Sequence, residues 1–107
     1  MNTQDKNFKI DEDGFIYCAN QIDSPNHDSR PLNQKISLIV IHSISLPPNK
    51  FGNSYIEDFF TNKLDVNEDP YFKKIQHLNV SSHFLIKRKG ELIQFVSCLN
   101  KAWHAGE

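Results

Sequence analysis

Cysteine is scarce: Cys18 and Cys98 are the two in 107 residues, and they lie far apart in sequence. That excludes a disulfide-stapled small scaffold and fits two reduced thiols, with a single disulfide as the lesser alternative. No apolar segment reaches the roughly 20 residues of a membrane span. The opening MNTQDKNFKI is polar and lacks the apolar core of a secretory signal. Nor is there an excess of one charge: 12 basic and 13 acidic residues give a formal net charge of −1. Neither sign clusters enough to suggest a nucleic-acid or membrane surface. There is no internal repeat and no low-complexity segment. These absences leave a soluble, cytoplasmic, globular chain, whose 107 residues and 38% hydrophobic content allow one domain with one core.

What is present centres on residues 35–48, KISLIVIHSISLPP. Ile36, Leu38, Ile39, Val40 and Ile41 form a nearly unbroken aliphatic run, which predicts a central strand over 35–43 buried on both faces. His42 closes the run. It reads either as a hydrogen-bonded histidine at a strand end or as an anchor for chemistry at the mouth of a rigid strand.

Residues 1–13 are polar and read as loose, and 14–19 as a short edge strand. Residues 20–33 are turn chemistry, with Asp23-Ser24-Pro25-Asn26 and Ser29-Arg30-Pro31. A loop with Pro47, Pro48, Asn49 and Gly52 follows. A helix is predicted next, with Asn53 or Ser54 as N-cap and Glu57 at capping-box distance from Ser54. Its apolar face is Ile56, Phe59, Phe60 and Leu64. A helical turn over 71–77 precedes a hairpin of 82–88 and 91–96 joined at Lys89-Gly90. A last strand covers 102–104. The order predicts an α+β domain, a mixed central sheet with flanking helices in which all strands share one sheet.

Three pieces of sequence carry a family resemblance: VIHSISLPPNKFG, HLNVSSHFLIKRKGELIQFV and KAWHAGE. In that order and at those distances they resemble the zinc-dependent N-acetylmuramoyl-L-alanine amidases of the amidase-2 family. The cytoplasmic AmpD branch, which acts on 1,6-anhydro muropeptides in cell-wall recycling, is the nearest in pattern. The similarity runs from about Gly14 to Gly106. It implies that His42 is the first zinc ligand and that a small muropeptide is the substrate, with hydrolysis of the bond between (1,6-anhydro-)N-acetylmuramic acid and L-alanine. Zinc with three protein ligands and one open site polarises a carbonyl and acidifies its bound water.

The resemblance also implies that the remaining ligands, a catalytic glutamate and a lysine lie downstream of WHAG. No catalytic position therefore falls within this chain, and a zinc site would need ligands from outside it. The expectation is an amino-terminal part of an amidase-2 domain over 14–107, truncated after the WHAG strand. A chain ending at Glu107 would be a catalytically inactive remnant, or a muropeptide-binding module without catalysis.

By the same resemblance Ser43, Asn79, Trp103 and His104 line the substrate groove. Two of them depart from the family pattern, with Ser43 where asparagine is usual and Asn79 where arginine is usual. Asparagine cannot supply arginine's charge-assisted bond to an anionic group. Trp103 reads equally well as core. His83 reads as shaping the sheet or groove, although a zinc site from His42, His83 and His104 is an alternative that the spacing permits without demanding. His27 and His77 read as solvated, Lys87, Arg88 and Lys89 as a solvated hairpin tip, and Glu91 as a surface carboxylate.

Overall fold

The hairpin that the alternating pattern predicts is the centre of the fold. In the computed structural model, which describes residues 8–103, Phe84–Ile86 and Leu92–Gln94 pair antiparallel. Gly90, at φ 91°, makes the turn and donates its N–H to the Lys87 carbonyl at 2.8 Å. We number the elements in chain order: β1 Asn20–Gln21, β2 His27–Ser29, α1 Tyr55–Phe60, α2 Phe72–Ile75, β3 Phe84–Ile86, β4 Leu92–Gln94 and β5 Asn100–Ala102.

Among the described residues the strands form two sheets rather than one. The first has the order β1-β4-β3, with β1 parallel to β4, so it is a mixed sheet. The second pairs β2 antiparallel with β5, placing Asp28 opposite Lys101 at 3.6 Å. The last strand lies at 100–102, two residues earlier than its predicted start. Both β1 and β2 fall inside the stretch read as turns. They are too short and too polar to show a period-two pattern, and pairing with β4 and β5 makes them strands. Residues 14–19 form no strand, and Ile16 makes an isolated bridge to Ile10.

The largest correction concerns residues 35–43. The predicted central strand is not one: it pairs with no strand among the described residues, and Ile36, Leu38, Ile39, Val40 and Ile41 are 59–89% exposed. The physical reason is that a run apolar on both faces needs a ladder beside it and cover above and below. The described residues give it neither.

The core forms instead around the helices and β4. Phe59, Phe60, Phe72, Ile93, Phe95 and Val96 are buried together with Leu46 and Val80. Phe60 meets Phe95 edge-on at 5.2 Å between centroids, and Tyr55 meets Phe72 at 4.8 Å. Ser54 occupies the N-cap of α1 without a side-chain bond, while the Asn53 carboxamide oxygen accepts the Tyr55 N–H at 3.0 Å. Glu57 does not close a capping box. It reaches Lys87 at 2.8 Å and ties α1 to the hairpin turn.

Beside it, burial first and the Glu57 charge second push the Asp58 carboxyl above its ordinary range, opposed by Lys63. A carboxyl whose pKa is raised by folding opposes the folded state above that pKa, and the opposition fades as pH falls through it. Asp58→Asn is therefore expected to raise the melting temperature at pH 7. The gain should shrink as pH falls through the raised value towards the ordinary carboxylate range, which thermal scans from pH 7 to pH 3 would record.

Candidate functional site

His42 and Ser43 follow the exposed run and are themselves exposed. The chain is pinned just beyond them. Leu46 is buried in the core, its carbonyl accepts the Asn53 carboxamide at 3.0 Å, and the Ser45 hydroxyl accepts the Asn49 N–H at 2.7 Å. The Leu46-Pro47 peptide is cis, and Asn49 has φ 66°. At the far end of this loop the Arg88 guanidinium lies 3.9 Å from the centre of the Phe51 ring. The basic run at the hairpin is thus a solvated tip only in part: Arg88 and Lys89 are exposed, and Lys87 is half-buried. Lys87 pairs with Glu57 and Arg88 stacks on Phe51, because the turn folds back over α1 and its preceding loop.

Asn79 is exposed, between half-buried Leu78 and buried Val80. The next residue but one, Ser81, donates its N–H to the Trp103 carbonyl. Asn79 and Trp103 therefore sit on adjoining segments. Trp103 is 37% exposed, and its N–H donates to the Asn26 carbonyl at 3.0 Å. Its ring is neither fully core nor fully free. His104 lies outside the described residues.

The other histidines are accounted for by structure. The His83 ring places Nε2 2.9 Å from the Asn100 carbonyl, a bond that requires the proton on Nε2. Arg30 approaches the same nitrogen at 3.4 Å and donates Nε–H to the Cys98 carbonyl at 3.3 Å. His83 thus joins β3 to β5. His27 is not a solvated turn residue: it lies in β2, half-buried, with Nδ1 2.8 Å from the Ser24 carbonyl. His77 is exposed just past α2, and Glu91 is exposed and accepts the Asn20 carboxamide at 2.6 Å. Cys18 and Cys98 are free thiols, and burial pushes the Cys98 thiol up against the opposing Arg30 charge.

Sequence reading missed a set of buried amides and hydroxyls. Asn26, in the stretch read as turns, is 2% exposed. Its carboxamide nitrogen faces the Phe60 and Val80 carbonyls and the Asn62 side-chain oxygen at 3.2, 2.8 and 2.8 Å. Ser24 donates its hydroxyl to the same Phe60 carbonyl at 2.5 Å. Together they fasten the end of α1, the segment that carries Asn79, and Trp103 to one point. Gln94 does similar work in β4, accepting the Ile16 N–H at 2.8 Å and donating to the Gly14 and Val96 carbonyls. A buried polar side chain leaves no mark in hydrophobic periodicity.

Two open clefts of about 460 Å³ each flank this framework, one beside Asp13, Asp23 and His27 and the other beside Arg30, Lys35 and Cys98. Neither is lined by His42, Asn79 or Trp103. Among the described residues no three His, Cys, Asp or Glu side chains come together as a metal donor set. A catalytic zinc requires three protein ligands. The described residues alone do not fit one, and His42 is at most a single donor.

The described residues thus form an α+β unit: a small mixed sheet with short helices, and a loop beginning at a histidine that closes an apolar run. The chain belongs to the N-acetylmuramoyl-L-alanine amidase family, whose Amidase_2 model matches residues 32–107. Among curated proteins it is 50% identical over 95 residues to the 1,6-anhydro-N-acetylmuramyl-L-alanine amidase AmpD of Haemophilus influenzae. That match covers 89% of this chain and 52% of the relative. The AmpD of Citrobacter freundii is 46% identical over 95 residues, covering 89% and 51%. A crystal structure of a selenomethionine AmpD derivative superposes with a TM-score of 0.86 at 46% identity, covering 92% of this chain and 54% of that one. The chain thus spans about half the length of the relatives that it matches. The expected α+β architecture with a mixed sheet stands, with the strand corrections given above.

Proposed function

We propose that this chain serves in zinc-dependent hydrolysis of the amide bond between 1,6-anhydro-N-acetylmuramic acid and L-alanine, in cytoplasmic cell-wall recycling. The observation that supports this most is the family match over 32–107, which spans the His42 loop, Asn79 and Trp103 in order. In this reading His42 is one donor to a zinc whose other ligands come from beyond the described residues. Ser43, Asn79, Trp103 and His104 face the substrate. The chain's own contribution is positioning: Leu46 and the Phe51–Arg88 contact hold the His42 loop, and the Asn26 hub holds the Asn79 and Trp103 segments together. Among the described residues no helix is long and apolar enough to cross a membrane.

The test is release of peptide from 1,6-anhydro-N-acetylmuramyl-tripeptide by the protein recovered from its native cell, with and without chelator. Release that chelation stops and zinc restores supports the proposal. Saturable muropeptide binding that survives chelation, without release, assigns a binding role instead. Neither release nor binding marks a non-catalytic remnant.

Asn79 supplies a finer prediction. It is exposed and uncharged, so Asn79→Arg adds a cation where the family pattern has one. Exposed charge pairs are worth little, about 0.2–1 kcal/mol, and more when the bond is bidentate. Muropeptide binding should tighten about threefold at low salt, and the gain should decline as salt screens it. Calorimetric titration at two ionic strengths would check both.

A further inference from the structure

We propose that Asn62 is a positioning residue for substrate binding: its side chain locks the Asn26 carboxamide, and through it holds the Asn79 segment against Trp103. The two carboxamides form a closed pair. Asn26 Nδ2 donates to Asn62 Oδ1 at 2.8 Å, and Asn62 Nδ2 donates back to Asn26 Oδ1 at 3.0 Å. Among the described residues no other donor reaches Asn26 Oδ1. Asn26 is 2% exposed, and a carboxamide oxygen so deeply placed is costly to leave without a donor.

Both ends of the pair are anchored. Asn62 follows α1, donates its N–H to the Phe59 carbonyl at 3.2 Å and has φ 61°, a left-handed conformation that asparagine tolerates better than most residues. On the other side, Asn26 Nδ2 also faces the Val80 carbonyl at 2.8 Å, and the Asn26 carbonyl accepts the Trp103 N–H at 3.0 Å. Asn79 directly precedes Val80, so the segments of Asn79 and Trp103 are tied to one residue whose side-chain rotation Asn62 sets. Asn62 itself is exposed and bonds to neither of them among the described residues. It acts through Asn26. Groups that meet a ligand must be held within about 0.5 Å of their productive places, so a freed Asn26 carboxamide should be felt as weaker substrate binding before it is felt as unfolding. The inference rests on the proposed function, because it needs Asn79 and Trp103 to meet the muropeptide.

The experiment measures KM and kcat for peptide release from 1,6-anhydro-N-acetylmuramyl-tripeptide, in the protein recovered from its native cell and in three variants expressed the same way. Asn62→Gly keeps the left-handed backbone and deletes the carboxamide. Asn62→Asp keeps an acceptor for Asn26 Nδ2 and sets a carboxylate against Asn26 Oδ1. Asn33→Gly, exposed at φ 65° and outside the hub, is the control. Both Asn62 variants should raise KM about threefold to tenfold, the span of one net hydrogen bond, with the larger rise in Asn62→Asp. Their kcat should stay within about twofold of the parent, and Asn33→Gly should change neither constant. Trp103 is the only tryptophan in the 107 residues. Iodide quenching of its emission, isolated by difference from Trp103→Phe, should rise in the two Asn62 variants alone. KM decides the matter, because a smaller folded fraction lowers kcat and leaves KM where it was. A KM that stays at the parent's value, a rise that Asn33→Gly shares, or unchanged Trp103 quenching would each overturn the proposal. A parent that releases no peptide overturns the proposed function and this inference with it, whereas a parent that releases peptide beside unaffected variants overturns this inference alone.

Discussion

Replacing Asn26 by aspartate is expected to destabilise the fold by about 3–5 kcal/mol at neutral pH, the range for leaving an uncompensated charge in the interior. The change removes one amide group and adds no volume. The Asn26 nitrogen faces three oxygens, the Phe60 and Val80 carbonyls and the Asn62 side chain, all within 3.2 Å. A carboxylate there donates nothing and adds negative charge against three acceptors. Asn26→Ala should cost less, about 1–3 kcal/mol, because it leaves unsatisfied groups without adding charge. The order is the informative part. Desolvation would raise the pKa of the introduced carboxyl, so its penalty should ease as pH falls through that value, whereas the alanine penalty should not. Urea denaturation of both variants at pH 7 and pH 5 measures this. Should aspartate prove no worse than alanine, the hub is not held by donated bonds.

Phe72→Ala is expected to destabilise the chain by about 3–5 kcal/mol, the usual range for deleting a buried phenylalanine ring. Phe72 is fully buried and packs edge-on against Tyr55, so its loss opens the space between α2 and α1. The helix that carries it has four residues, too few to be stable by itself. Packing therefore holds α2 in place, and removing the ring should release residues 72–75 as well as the cavity wall. At about 4–8 °C per kcal/mol for a domain of this size, the melting temperature should fall on the order of 20 °C. Phe72→Leu, which refills much of the volume, should recover more than half of that loss. Calorimetry on both variants gives the comparison, and an equal loss for both would mean that ring volume is not what matters.

Sequence pattern located the elements whose signal is local. The hairpin was legible because Lys89-Gly90 separates two alternating runs, and α1 because Ile56, Phe59 and Phe60 recur at helical spacing. Non-local pairing was not legible. Strands β1 and β2 consist of two and three polar residues each, made into strands by partners more than 70 positions away. The run at 36–41 misled for the converse reason: its local signal is strong, but a strand also needs neighbours, which no window of sequence can report. At the candidate site His42, Asn79 and Trp103 were reachable through family motifs. Asn26, which fastens two of the segments involved, looked like one more turn residue.

The parallel pairing of β1 with β4 bears on how the chain is made. The Ile16 N–H and the Gln94 carboxamide that receives it are 78 residues apart. At roughly 5–20 residues per second a ribosome needs about 4–16 s to cover that distance. For that interval the amino-terminal segment has emerged while its acceptor strand does not yet exist. Nascent chains of this protein should therefore be substrates for ribosome-associated chaperones until β4 appears.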